Sequence, residues 1–226
     1  MKFRNLLVSA AWVCLVGNAA QAATIVWDSP TQTTGLASDV LTVGTLVEAS
    51  CNNPASPTVN GVPFTAQGSG ISYIGYYNLN FTSYANTPST WASPDPGMVA
   101  LVGGSAYSVN AITLTLNNLV IGGNYIVQIF EPTWDHNWMT NFTGGANTSD
   151  YVSPSGAAGT GPANLTPEYI VGSFTADGSS QTIGTSGPNG YTEVAAVQVR
   201  AVPEPATWAI FLAGFGVLGF KRMRRP

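Results

Sequence analysis

Five consecutive residues, Trp134-Asp135-His136-Asn137-Trp138, bring together two indoles, a carboxylate, an amide and the chain's single imidazole. Indole faces stack on the apolar faces of sugar rings, and Asp and Asn oxygens accept hydrogen bonds from hydroxyls. Trp134, Asp135, Asn137 and Trp138 are therefore the candidate glycan-binding residues, with Asp150 and Tyr151 as additions. The competing reading is that the two tryptophans simply cover one end of the domain. Asp135, Asn137 and Asp150 also offer oxygens of the kind a structural Ca²⁺ gathers, roughly six to eight at a time. No D-x-D-x-D-G loop is present, and His136 has no Cys or His at metal spacing. No metal ligands and no cofactor are assigned, with structural calcium left open.

Catalysis has weaker footing. A glycosidase needs two carboxylates facing each other across a sugar, and Glu131, Asp135 and Asp150 qualify only by residue type. A Ser-His-Asp triad would have to use His136, yet no G-x-S-x-G elbow occurs. Cys14 lies in an apolar leader, so Cys51 has no partner for a disulfide, and the expectation is a buried thiol. No catalytic residue is assigned, and the expectation is a protein that is not an enzyme.

The elements that must hold these residues are read from period and turns. Ile112, Leu114 and Leu116 alternate with Thr113, Thr115 and Asn117; Val127 with Ile129, and Val197 with Val199, repeat the pattern. Period two means strands with one buried face. Asn60-Gly61 between Val59 and Val62 suits a type I′ hairpin, and Asp177-Gly178 and Asn189-Gly190 punctuate later strands. About nine strands and no amphipathic helix are expected, giving an all-β fold: an antiparallel β-sandwich or jelly roll over residues 24–200. The stretch Glu131–Glu168 reads as one long connection.

Charge excludes one class of partner. Between Thr24 and Val202 the sequence has ten carboxylates and one basic residue, Arg200, a net charge of 1 − 10 = −9. Such a surface repels phosphate backbones, so nucleic acid is not a partner.

The two ends have their own logic. Lys2 and Arg4, the apolar run Leu6–Val16 and Ala20-Gln21-Ala22 form a signal peptide over residues 1–23, cleaved after an A-x-A site at Ala20 and Ala22. At the other end, Pro203-Glu204-Pro205 leads into the apolar run Ala206–Phe220 and then Lys221-Arg222-Met223-Arg224-Arg225. The prolines break the preceding structure, and the basic cluster keeps the tail inside with the domain outside. Within that run Gly214-Phe215-Gly216-Val217-Leu218-Gly219 matches G-x-G-x-x-G, but without a strand before it, so it reads as small residues of a C-terminal transmembrane helix.

Residues 201–226 resemble the PEP-CTERM sorting signal: the triplet Pro203, Glu204, Pro205, one hydrophobic helix and a short basic end. The resemblance implies recognition by an exosortase-type membrane peptidase, after signal peptidase has acted at the N-terminus. It also implies transient membrane anchoring, release to the cell surface or exterior, and a link to extracellular polysaccharide. Thr58–Phe64, Leu119–Gln128, Gly172–Asp177 and Ala195–Arg200 resemble a galactose-binding-like β-sandwich found in exported bacterial proteins, which implies carbohydrate binding or an accessory role. The expected function is an exported, non-enzymatic protein associated with exopolysaccharide or biofilm matrix. The alternatives are a purely structural, self-assembling surface protein and a polysaccharide-modifying enzyme.

Overall fold

A computed structural model describes residues 22–66, 70–74, 77–79, 93–132, 138–153, 166–188 and 190–203. The signal segment 1–21 and the C-terminal run 204–226 lie outside the described residues, as do the helices expected there. Among the described residues no helix is long and apolar enough to cross a membrane.

The chain is built on strands. In order they are β1 (Val26–Trp27), β2 (Thr31–Gln32), β3 (Thr45–Cys51), β4 (Thr58–Val59), β5 (Val62–Pro63), β6 (Thr65–Ala66), β7 (Ile71–Ile74), β8 (Tyr77–Leu79) and β9 (Ser105–Ser108). Then come β10 (Thr113–Leu116), β11 (Asn124–Phe130), β12 (Asn141–Gly144), β13 (Asn147–Thr148), β14 (Glu168–Thr175), β15 (Gln181–Ser186), β16 (Thr192–Val194) and β17 (Ala196–Val202). A seven-stranded sheet runs β1-β14-β11-β17-β3-β6, with β2 also on β14. A five-stranded sheet runs β13-β12-β15-β10-β7. Smaller sheets are β16-β9-β8 and the hairpin β4-β5, turned by Asn60 (φ 51°) and Gly61 (φ 74°) as the type I′ signal requires.

The two large sheets share one core. Leu114, Leu116, Ile183 and Phe142 from one sheet meet Val127, Ile129, Ile170 and Val199 from the other, all buried. This is the alternation read from the sequence, now seen as the inner faces of a sandwich.

Four features differ from expectation. Gln198 and Arg200, on the polar side of the last strand's alternation, are buried. The cause is a third layer over that face of the seven-stranded sheet: Val40, Val59, Val62, Phe64, Met98, Leu101 and Val102 pack on Ala49, Cys51, Phe130 and Ala196. Part of that layer is a short helix, α1 (Pro96–Val102), absent from the sequence reading. Asp95 caps it, accepting from the Gly97 and Met98 amides at 2.7 and 3.2 Å, with Pro96 opening the first turn. Two turns are too short for a periodic signal to stand out. Third, the pairing is antiparallel throughout the described sheets except for β3 with β6, which is parallel. Finally, the stretch read as one long connection contains the β12–β13 hairpin, turned at Gly145 (φ 61°) and added to the five-stranded sheet through β15. Phe142 is its single buried aromatic, so the strand carries too little alternation to be read locally.

Candidate functional site

Strand direction sorts the domain into two poles. β11 runs from Asn124, opposite Val202, to Phe130, opposite Ala196. Phe130 therefore marks the pole opposite Val202. Of the candidate glycan segment, Trp134, Asp135, His136 and Asn137 lie outside the described residues. Trp138 is described, and it is half-buried in an aromatic group that the sequence reading missed.

Trp138 stacks on Tyr191, with ring centroids 4.7 Å apart and planes 12° apart. Tyr107 meets the same indole at 6.0 Å and 31°. Three distant stretches supply these rings: Tyr107 from β9, Trp138 from the segment before β12, and Tyr191 from the residue before β16. β9 and β16 pair with Tyr107 opposite Glu193, which brings the first and third together. Tyr191 is 38% exposed, so the stack reaches the surface. Asp150 and Tyr151 are exposed on the neighbouring stretch, where the Thr140–Val152 bridge ties them to the same pole. No local signal joins Tyr107 and Tyr191 to Trp138, because their meeting depends on long-range pairing.

The β9–β16 pairing that sets Tyr107 opposite Glu193 leads into a buried polar group. Glu131 and Glu193 are 1% and 2% exposed. The Thr140 hydroxyl accepts from the Glu193 amide at 3.1 Å. The Glu131 amide donates to the Glu168 carbonyl at 2.9 Å, and the Glu168 carboxylate accepts from the Ser153 amide at 3.0 Å. Neither carboxyl oxygen of Glu131 meets hydrogen-bond geometry with a donor. Burial pushes this carboxyl well above the usual Glu range; proximity to Thr140 opposes the rise, and the Glu193 and Glu168 charges add to it. Glu131 therefore favours its neutral form, sealed from the surface. Among the described residues no group of three His, Cys, Asp or Glu side chains is placed to hold a metal ion.

Cys51 is fully buried in the third layer, its thiol donating to the Asn53 carbonyl at 3.4 Å and pushed up in pKa by burial. That is the inert thiol expected from the sequence. Of the terminal motifs, Ala22 and Pro203 are described, while Ala20, Glu204 and Pro205 are not.

An all-β domain with an exposed aromatic stack at one pole, and Thr24, Val202 and Pro203 together at the other, is the class that fold and site define. Residues 201–225 match the PEP-CTERM protein-sorting motif. The chain thus carries the signal of exported surface proteins targeted to an exosortase-type peptidase, with a membrane-anchored C-terminal sorting segment. No curated protein matches the chain. Among solved structures it is similar to the extracellular domain of ANXUR2 from Arabidopsis thaliana, at 10% identity and a TM-score of 0.44. That likeness covers 70% of this chain and 41% of the other, so the chain spans well under half of its length.

Proposed function

We propose that this is a non-enzymatic matrix protein, released at the cell surface after exosortase processing, which holds extracellular polysaccharide on the aromatic pole. The observation that carries the reading is the surface stack of Trp138 on Tyr191, flanked by Tyr107. Rigid rings held at a fixed spacing offer a sugar a preorganised apolar platform. The buried, neutral-leaning Glu131 supports a scaffold role for that carboxyl rather than acid–base work on a surface-bound sugar. Trp134, Asp135 and Asn137 stay candidate glycan contacts by residue type alone, no cofactor is required in this reading, and charge disfavours nucleic acid.

The test is co-sedimentation of the mature protein with the exopolysaccharide of its own host. Retention that withstands salt, is competed by a simple sugar and disappears in Tyr191→Ala supports the reading. Folded protein that stays in the supernatant refutes it.

A further inference from the structure

The pole opposite the aromatic stack has a different character. Val202 and Pro203 end the last strand there, and Thr24, from the start of the mature chain, lines the same groove. The N-terminal strand reaches this pole because Val26 pairs with Ser173 and Trp27 with Gly172, while Thr175 pairs with Asn124 and Asn124 with Val202. The described chain therefore begins and ends at one pole, with Thr24, Val202 and Pro203 lining a single groove.

The same pole holds the four most exposed large apolar side chains among the described residues: Val120 and Ile121 at 69%, Val26 at 62% and Val43 at 54%. Their display is built rather than accidental. The Tyr125 hydroxyl accepts from the Val120 amide at 2.7 Å, and the Gly122 amide donates to the Ala176 carbonyl at 2.7 Å, which fixes the turn that presents Val120 and Ile121. Arg200 donates to the carbonyls of Thr42, Val43 and Gly44 at 2.7 to 2.9 Å and so fixes the turn that presents Val43. Beside them opens a groove of about 520 Å³ lined by Val26, Ile126, Ser173, Val202 and Pro203. In the turns 42–44, 118–123 and 176–180, Asp177 is the one charged residue.

Chain length says what this surface meets. Only Glu204 and Pro205 separate Pro203 from Ala206, the first residue of the apolar run. Three residue steps reach at most about 11 Å, so an inserted run holds the pole against the bilayer surface. Apolar tips with almost no charge fit the interfacial layer, where their burial is favourable.

We propose that the terminus-bearing pole is a membrane-facing surface: while the C-terminal run is inserted, Val43, Val120 and Ile121 sit in the interfacial layer of the bilayer, and the aromatic pole points away from it. This rests on the reading of residues 201–225 as a membrane-anchored sorting signal. Docking holds the sorting triplet at the membrane surface, where a membrane-embedded peptidase works. Once the chain is cut at the triplet, the few apolar tips are too small an anchor to hold the domain, and it leaves.

The experiment uses the signal-cleaved chain, residues 24–226, reconstituted into phosphatidylcholine vesicles, so that Cys51, buried and unlabelled, is its one native cysteine. A polarity-sensitive fluorophore is placed at Ile121→Cys, or at Val109→Cys on the opposite pole. Lipid-borne quenchers at the interfacial depth should quench the Ile121 probe several-fold more than the Val109 probe. Replacing Val43 and Val120 by Ser should cut that quenching, with flotation of the chain unchanged. Equal quenching of the two probes in chains that float with the vesicles overturns the membrane-facing pole and leaves the anchor intact. Chains that do not float overturn the anchor reading and this one with it.

Discussion

The two poles are built from opposite materials on one sandwich. At the terminus pole, tight turns pinned by backbone and Arg200 hydrogen bonds push aliphatic side chains into solvent. At the aromatic pole, rings from three distant segments stack, and the carboxylates of Glu131 and Glu193 are buried. About seven residues of β11 separate them, roughly 20 Å along the strand. The difference shows how one core can carry a face suited to a bilayer and a face suited to a hydrated polymer: strand ends are free to vary in chemistry because the buried alternation between them sets the fold.

The comparison breaks most completely if the shared core fails. Phe142, fully buried and in ring contact with Trp27, fills the sandwich between the poles. Phe142→Ala should cost about 3–5 kcal/mol and disorder both ends together, seen as one cooperative shift in urea unfolding. A shift confined to one pole would mean that the poles fold separately.

Next in size is Arg200, the lone cation between Thr24 and Val202, whose guanidinium donates to three turn carbonyls and whose pKa is lowered by burial. Arg200→Met strands those carbonyls and should cost about 2–4 kcal/mol. Hydrogen exchange should rise at residues 41–45 while the amides around Thr140 keep their protection. Exchange rising equally at both poles would contradict the local role.

Glu131 sharpens the other side. Its carboxyl holds a proton more tightly folded than unfolded, so folding takes up a proton at pH values above the ordinary Glu range. Stability should fall as pH rises from about 4.3, the unfolded value, until pH passes the raised folded value. Glu131→Gln should flatten that decline and be the more stable protein at neutral pH. A wild-type profile that is flat or rising across the window, measured by chemical denaturation, would show that Glu131 is ionised in the folded state.

The smallest expected stability effect carries the most functional weight. Tyr191→Ala removes an edge of the aromatic stack from a surface position and should change stability by no more than about 1 kcal/mol. Thermal melting should barely move, while retention on polysaccharide is lost. A large drop in melting temperature would make the stack structural and weaken the glycan reading.

Part of this molecule was legible in the linear chain. The Pro203-Glu204-Pro205 triplet before an apolar run is a string of neighbours, and the sorting motif rests on such a string. The alternation at Ile112–Leu116 and Val197–Val199 and the Asn60-Gly61 turn are likewise local, because side-chain period and positive φ are set within a few residues. Even α1 had a local cue, Asp95-Pro96, too slight to outweigh the all-β pattern.

What no local reading could supply is which faces are covered twice and which residues meet. Gln198 and Arg200 look solvent-facing until the third layer closes over them, where they exchange hydrogen bonds with Gln128, Leu41 and the 42–44 turn. Tyr107, Trp138 and Tyr191 become one stack only through the β9–β16 pairing, and Val43 joins Val120 and Ile121 only through the order of strands across the sheet. The sequence determined the sorting motif, the strand alternation and the turns, because each is set by near neighbours. The tertiary structure alone decided the two poles, because pairing strands far apart in the chain is a collective choice of the whole core.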